Sequence, residues 1–486
     1  MVKILAVILA SFFIITQAES QIVWNSTLDV ASPSLGNNHP RIVKNDVGNP
    51  LVIWGKSNNV MFSRWNGIGF TAPIVLNPDT ISIAEASWMG PDIAAHGDTV
   101  YVVFKQTPED SYSSHIWCIH SYDGGFSFSS PIQVDNIADN ISRFPTVTTD
   151  TLGNPIVGFM KFDPSFGNPR WVVSRSIDFG SSFSIDALAS GWSNSTSKVC
   201  DCCPGAITSL DNTVAMLYRD NDNNIRDSWA GISNDLGNTF NGGMNIDQQN
   251  WTIFACPASG PDGVILGDTL YSTYMSGASG MARVYFNKSS LSEMTGSAGN
   301  LLTENIPDLG QQNFPRIANS GKAVAIAWKQ VVNGDSQLPV LFTENITAGF
   351  SPTYEIIALS NVNNTDLILT SENIFIVWQD DNSGTVKFQS GTYSTPSLIQ
   401  EKILINDLTA YPNPSAEAWT IEGYAVYPKI KIELFDFQGI LFYSNFIEKN
   451  TEFFIHKIDN SNLISGLYVL RFSHKNFQHS IKLLKK

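Results

Sequence analysis

Three observations predict an all-β chain in which a six- or seven-bladed β-propeller is followed by a small C-terminal β-sandwich. A Pro that leads into an apolar strand recurs at Pro40, Pro91, Pro145, Pro204, Pro261 and Pro315. The intervals are 51, 54, 59, 57 and 54 residues, roughly one four-stranded blade each. An eight-residue turn, Ser121-Tyr122-Asp123-Gly124-Gly125-Phe126-Ser127-Phe128, returns at Ser176 to Phe183 and Ser233 to Phe240 with the same polar and apolar order. From about Ile405 the pattern changes to closely spaced alternating strands, the signature of a small sandwich.

Taken in order, residues 1–18 carry one cation, Lys3, an apolar run from Ile4 to Ile15 and a small-residue end at Ala18. The run is too short for a permanent span and reads as a signal peptide. No later stretch reaches transmembrane length, so residues 19–398 are expected as the propeller, 399–404 as a linker and 405–486 as the terminal unit. A net charge of −15, from 29 basic and 44 acidic residues, disfavours a nucleic-acid partner.

Within each repeat a Gly-containing turn leads to a second strand rich in β-branched and aromatic residues. There are seven of these: Leu51 to Trp54, Val100 to Phe104, Ile156 to Phe159, Val214 to Tyr218, Thr269 to Tyr274, Ala323 to Trp328 and Ile374 to Trp378. The seventh unit lacks the Pro and begins near Thr365. Seven blades are therefore favoured over six, with residues 21–24 returning to complete the last blade and close the ring. The eight-residue turn decays to Ser63 through Phe70 in the first unit and Thr343 through Phe350 in the sixth.

In each intact turn a short polar side chain bonds the backbone, Gly supplies a positive φ, and the final Phe packs below. These turns, with Asp123, Asp178 and Asp235 as their acidic residues, resemble the Asp-box, or BNR repeat, of sialidase-like β-propellers. The resemblance implies fold more strongly than reaction. Tyr411-Pro412-Asn413-Pro414, Trp419 to Gly423, Gln438-Gly439, Ser465-Gly466-Leu467-Tyr468 and the terminal Ile481 to Lys486 together resemble the type A sorting domain of the type IX secretion system. That resemblance implies recognition by the secretion machinery, export across the outer membrane, and release or attachment at the cell surface. An ordinary carbohydrate-binding or fibronectin-like module is the alternative.

In a propeller the start of each innermost strand and the end of the second share one mouth, and the eight-residue turns lie on the opposite face. The strand starts offer Arg41, Asp92, Asp262 and Arg316. The second-strand ends offer Lys56, Lys105, Lys161, Arg219 with Asp220, and Lys329. Such cations suit the carboxylate or sulfate of an anionic glycan, with Arg giving bidentate recognition. Paired, solvated cations are the plain alternative for any single Lys.

The sialidase resemblance implies an arginine triad, a Tyr nucleophile partnered by Glu, and an Asp acid. By position, Arg41, Arg219 and Arg316 match the triad, Asp92 the acid, and Tyr218 or Tyr274 the nucleophile. Between Glu109 and Glu293 there is no Glu, so the middle blades supply no partner for such a Tyr. Three readings stand: a non-hydrolytic protein binding an anionic glycan at the mouth, an active exo-sialidase-type glycoside hydrolase, and an adhesive or structural protein with a protein partner.

Cys200-Asp201-Cys202-Cys203-Pro204 with Cys256-Pro257 resembles a branch of bacterial sialidase-like proteins without an assigned activity. Both groups precede innermost strands of adjacent units, so one of Cys200, Cys202 or Cys203 is expected to bridge to Cys256. A soft metal held by the four sulfurs is the alternative, although the spacing matches no standard zinc pattern. Cys118, in an apolar strand, reads as a buried free thiol. No metal-ligand spacing of His, no Gly-x-Ser-x-Gly elbow and no phosphate loop is present, so no cofactor is expected.

Overall fold

The computed structural model describes residues 22–393 and 405–486, apart from 136–139, 194–197, 304–305, 426–428, 438, 449–450, 452 and 475–476. The expected signal peptide and linker lie outside the described residues.

Residues 22–393 form seven sheets with a four-stranded antiparallel core. Their innermost strands are Asn38–Lys44, Asp92–His96, Ile141–Thr149, Ala206–Leu210, Asp262–Leu266, Leu309–Ser320 and Val362–Leu369. Each contacts the next, and the last contacts the first, so the blades close into a ring. Closure uses the chain's beginning: Val23–Trp24 pairs with Val386–Thr392 as the outermost strand of the seventh sheet. Strand edges that would otherwise be free are thereby paired.

The second strands form the body of the core. Pro50–Lys56, Thr99–Lys105 and Pro155–Phe162 are buried along almost their whole length. A short apolar run without alternation is what burial on both faces requires. Trp54, Phe104, Trp171 and Trp328 fill the gaps between blades.

The three repeated turns share one hydrogen-bond pattern. Ser121 Oγ donates to Asp123 Oδ1 at 2.8 Å and accepts from Gly125 N at 2.9 Å, while Asp123 accepts from Ser127 N and Ser127 Oγ at 2.9 and 2.6 Å. Asp178 and Asp235 repeat it with Ser182 and Thr239. In the sixth blade Asn345 replaces the Asp and holds Thr347. The fifth blade has no such sequence, yet Asp268, from the preceding strand turn, accepts from Ser292 N and Oγ at 2.9 and 2.6 Å. The same bonds are recovered from a different segment.

Gly125 and Gly180 also bring their turns against the preceding blade. A Cβ on Gly125, at φ +84°, would stand 2.5 Å from Phe62 Cζ, and one on Gly180 would stand 3.0 Å from Tyr101. Phe128 completes the contact edge-on to Phe62. The turns therefore seat one blade on the next.

Residues 405–486 form a three-stranded and a four-stranded sheet around Trp419, Ile432, Leu470 and Leu483. Asn413 clamps the last strand, donating to Lys482 O and accepting from Leu484 N. From that strand Lys482 reaches the propeller's turn face, where it bonds Thr99 and lies over Phe179 and Tyr122.

Gly125→Ala is expected to cost about 2–4 kcal/mol, from the positive φ plus overpacking against Phe62. Gly67→Ala, where φ is +97° but the space is open, is expected to cost only about 1 kcal/mol. Urea unfolding of the two variants measures the difference.

Candidate site at the propeller mouth

The strand turns and the repeated turns lie on one face, since Gly124 N bonds Asp98 O and Leu236 N bonds Asn212 O. The mouth is the other face, where each innermost strand begins. There the residue before the recurrent Pro takes a positive φ in three blades: His39 at 54°, Phe144 at 52° and Phe314 at 50°. The Pro-less seventh blade does the same at Asn364. Register shifts in the strand pairing coincide with all four. Such bulges re-aim the following side chains, here Arg41, Thr146, Arg316 and neighbouring Asp366, toward the axis.

What these side chains meet is mostly one another. Asp366 Oδ2 accepts from Ile42 N, Asp92 Oδ2 from Val147 N and Asp262 Oδ2 from Ile317 N, all at 3.0 Å. Each carboxylate thus fastens its own inner strand to that of the next blade. Arg316 Nε lies 2.9 Å from Asp366 Oδ1 and 3.3 Å from Asp262 Oδ2, and Arg41 Nε lies 3.8 Å from Asp92 Oδ1. Arg41 Nη2 also meets His39 Nε2 at 2.6 Å. Because an arginine N–H donates, Nε2 accepts and the imidazole is neutral. Burial, then Arg41 and Arg316, hold the His39 pKa well below its usual value.

The two guanidinium groups differ. Burial, reinforced by Arg316, lowers Arg41 to about 10. Burial acts the same way on Arg316 but is outweighed by Asp262, Asp366 and Asp92, so its pKa rises and it stays charged. Among the described residues nothing bonds Arg316 Nη1 or Nη2. That edge faces a pocket shared with His39, Arg41, Asp92, Phe144 and Thr146. It is a small cavity of about 30 Å³ that opens to solvent.

The other residues expected at this mouth are placed elsewhere or are engaged. Arg219 is fully buried, its three donor nitrogens on Ser259 O, Arg226 O and Met275 O at 3.0, 2.6 and 2.6 Å. Its guanidinium is thus committed to backbone carbonyls, and it does not line the pocket that Arg41 and Arg316 share. Lys105 is buried on Ser114 O and Ser142 Oγ, and burial lowers it to about 8. Lys329 is partly buried near Asn363 Oδ1, and Asp220 is buried and thereby raised to about 6. Lys161 and Arg143 pair with Asp186 and Glu109.

The candidate nucleophiles are core residues. Tyr218 and Tyr274 are both fully buried, and Tyr274 Oη bonds Asp247 O and Gly299 N. Asp92 lines the pocket but is committed to Thr146 Oγ1 and Val147 N. His39 and Asp366 were absent from the expected set. The motif His39-Pro40-Arg41 signals the first, whereas the missing Pro hid the second.

Cys202 and Cys256 form a disulfide with Cα atoms 6.3 Å apart, while Cys118, Cys200 and Cys203 are free and buried. Among the described residues the one group of three potential metal ligands is Cys200, Cys202 and Cys203. With Cys202 in a disulfide only two of those sulfurs can be thiolates, which argues against a soft metal here.

Residues 409–486 match the family of secretion system C-terminal sorting domains. The chain is thus a β-propeller protein exported by the type IX route to the cell surface or beyond. No curated protein matches it. Similar solved structures include a Dyadobacter fermentans protein of unknown function, at 10% identity and TM-score 0.46 over 78% of this chain and 100% of that one. A PL25 ulvan lyase bound to a GlcA–Rha3S unit follows at 9% and 0.49, over 75% and 95%. Trypanosoma rangeli sialidase with the inhibitor DANA aligns at 9% and 0.42, over 95% and 89%. At these identities and scores neither activity nor substrate transfers. Among the described residues no helix is long and apolar enough to cross a membrane.

Replacing Arg219 with Met is expected to destabilise the fold by about 3 kcal/mol, since three buried carbonyls lose their donor. Denaturant unfolding measures the loss. Lys329→Met, at a half-buried position with one long hydrogen bond, is expected to change stability by less than about 1 kcal/mol.

Proposed function

We propose that the exported propeller binds an anionic glycan at its mouth without hydrolysing it. The observation that carries this is the Arg316 guanidinium, fixed at Nε by two carboxylates, with no bond at its Nη edge among the described residues, and lining a small pocket that opens to solvent. A planar fork held from behind is suited to bidentate recognition of a carboxylate or sulfate group. The sugar body then lies outside, on the mouth-side loops, where Trp88, Tyr112, Phe166 and Phe254 are exposed. Aromatic faces of this kind supply large contact area at low entropic cost.

Burial of Tyr218 and Tyr274 and the engagement of Asp92 favour binding over hydrolysis. With two arginines and three aspartates at the axis the mouth is close to charge balance, so recognition rests on geometry more than on field.

Binding to uronate-, sialyl- and sulfate-bearing glycans, with neutral counterparts as controls, tests the proposal. The Arg316→Lys variant keeps the charge between Asp262 and Asp366 but loses the fork. It is expected to weaken binding about tenfold or more, the worth of one charge-assisted bidentate contact. Unchanged affinity in a folded variant overturns the assignment. Turnover of a fluorogenic sialoside makes the protein an enzyme, and silence across the panel favours a protein partner.

A further inference from the structure

The four cysteines near the mouth are more than one disulfide and two spare thiols. Cys200 Sγ lies 2.7 Å from Cys203 Sγ and 3.6 Å from Cys202 Sγ, which is already bonded to Cys256. Cys200 and Cys203 are 0% and 1% exposed, whereas Cys256 is exposed. A soluble oxidant cannot reach the buried pair in the folded protein. The disulfide sulfur of Cys202 can be reached, from inside.

We propose that Cys200 and Cys203 exchange internally with the Cys202–Cys256 disulfide, forming a thiol relay that connects a buried dithiol to a surface cysteine. In the first step the Cys200 thiolate attacks Cys202 Sγ. The Cys200–Cys202 bond forms, the Cys202–Cys256 bond breaks, and its electron pair leaves on Cys256, which takes a proton from solvent. In the second step Cys203 loses its proton and attacks Cys200 Sγ. The Cys200–Cys203 bond forms, and Cys202 leaves and is protonated. One disulfide and two thiols are present before and after, so no external oxidant or reductant is needed.

The surroundings divide the roles. Arg226 Nη1 bonds Cys200 Sγ at 3.0 Å. The Cys203 hydrogen bond, with Arg219 and Arg226, brings Cys200 down to about 7 against the effect of burial, and burial pushes Cys203 up. The sulfur nearer the disulfide is thus the attacking one, and its neighbour resolves the intermediate. The spacing Cys-x-x-Cys allows both sulfurs to meet within one turn.

Exchange would untie the segment of Cys256 from that of Cys202. These segments lead into the inner strands Asp262–Leu266 and Ala206–Leu210, and the first carries exposed Phe254. The relay is independent of the glycan assignment.

The full chain, purified without reductant and kept folded, is incubated with N-ethylmaleimide, acid-quenched at intervals and mapped by peptide mass spectrometry. Cys256 is expected to become labelled over time, and Cys200–Cys203 and Cys202–Cys256 bonds are expected in one preparation. Cys200→Ser should slow labelling of Cys256 about tenfold or more, because the attacking thiolate is gone. In Cys203→Ser, Cys256 should still label while a Cys200–Cys202 bond accumulates, an intermediate no static arrangement produces. If the wild type never labels at Cys256, the relay is overturned whatever the variants do. It is equally overturned if both disulfides are fully formed with no free thiol, or if stoichiometric metal occupies the pair.

Discussion

Closing a ring of sheets requires that each innermost strand be held to the next, although those strands face one another with side chains rather than a continuous hydrogen-bond ladder. Here a carboxylate does this at three junctions. Asp366 reaches Ile42 N, Asp92 reaches Val147 N and Asp262 reaches Ile317 N, each at 3.0 Å. A buried N–H without a partner is costly, and a carboxylate is a strong acceptor for it. The carboxylates in turn need compensation where they are buried, which Arg316 and Arg41 supply. The charged centre of the molecule follows from the need for closure.

This changes what the charges at the mouth mean. Counted along the sequence, cations at strand ends describe a basic mouth; counted with their partners, most are neutralised or buried. Arg219 serves carbonyls, Lys161 meets Asp186, and Lys105 is below the surface. Arg316 keeps its outer edge without a bond among the described residues, because closure holds the other edge. A guanidinium whose Nε is fixed by two carboxylates has already lost most of its freedom, so its outer edge is pre-oriented.

The blades were legible in the sequence because their signals are local. Ser121, Asp123, Gly125 and Ser127 satisfy one another within a few residues, and the strand turns use Gly at fixed places. Even so, Asp268 shows that the same bonds can be made from another turn, where no pattern of eight residues records it. The site was far less legible, because its partners are separated by a blade or more. Arg316 meets Asp366, 50 residues away, and Asp366 bonds Ile42 across the ring closure. Spacing placed Tyr218, Arg219 and Asp220 together at a strand end. Which of them points into the core depends on the neighbouring blade, and the sequence pattern contains no record of that. The cysteines were an intermediate case: proximity to Cys256 followed from topology, but the choice of Cys202 depends on a local turn of four residues.

The two faces of the ring carry different obligations, and the sorting tail respects the division. The repeated turns seat blade on blade through Gly125 and Gly180, and Lys482 of the tail rests among Thr99, Tyr122 and Phe179 on that same face. Burial there lowers the lysine to about 7, with Asp150 and Asp98 acting against it. A cation so desolvated lies against aromatic faces and loses part of its charge near neutrality. On the opposite face the bulges before Pro40, Pro145 and Pro315 are strained and fixed, and they aim the Arg and Asp groups at the axis. A tail that leans on the turn face leaves the mouth uncovered. The turns on that face satisfy their own hydrogen bonds within a few residues, so neither they nor the mouth depend on the tail for their arrangement.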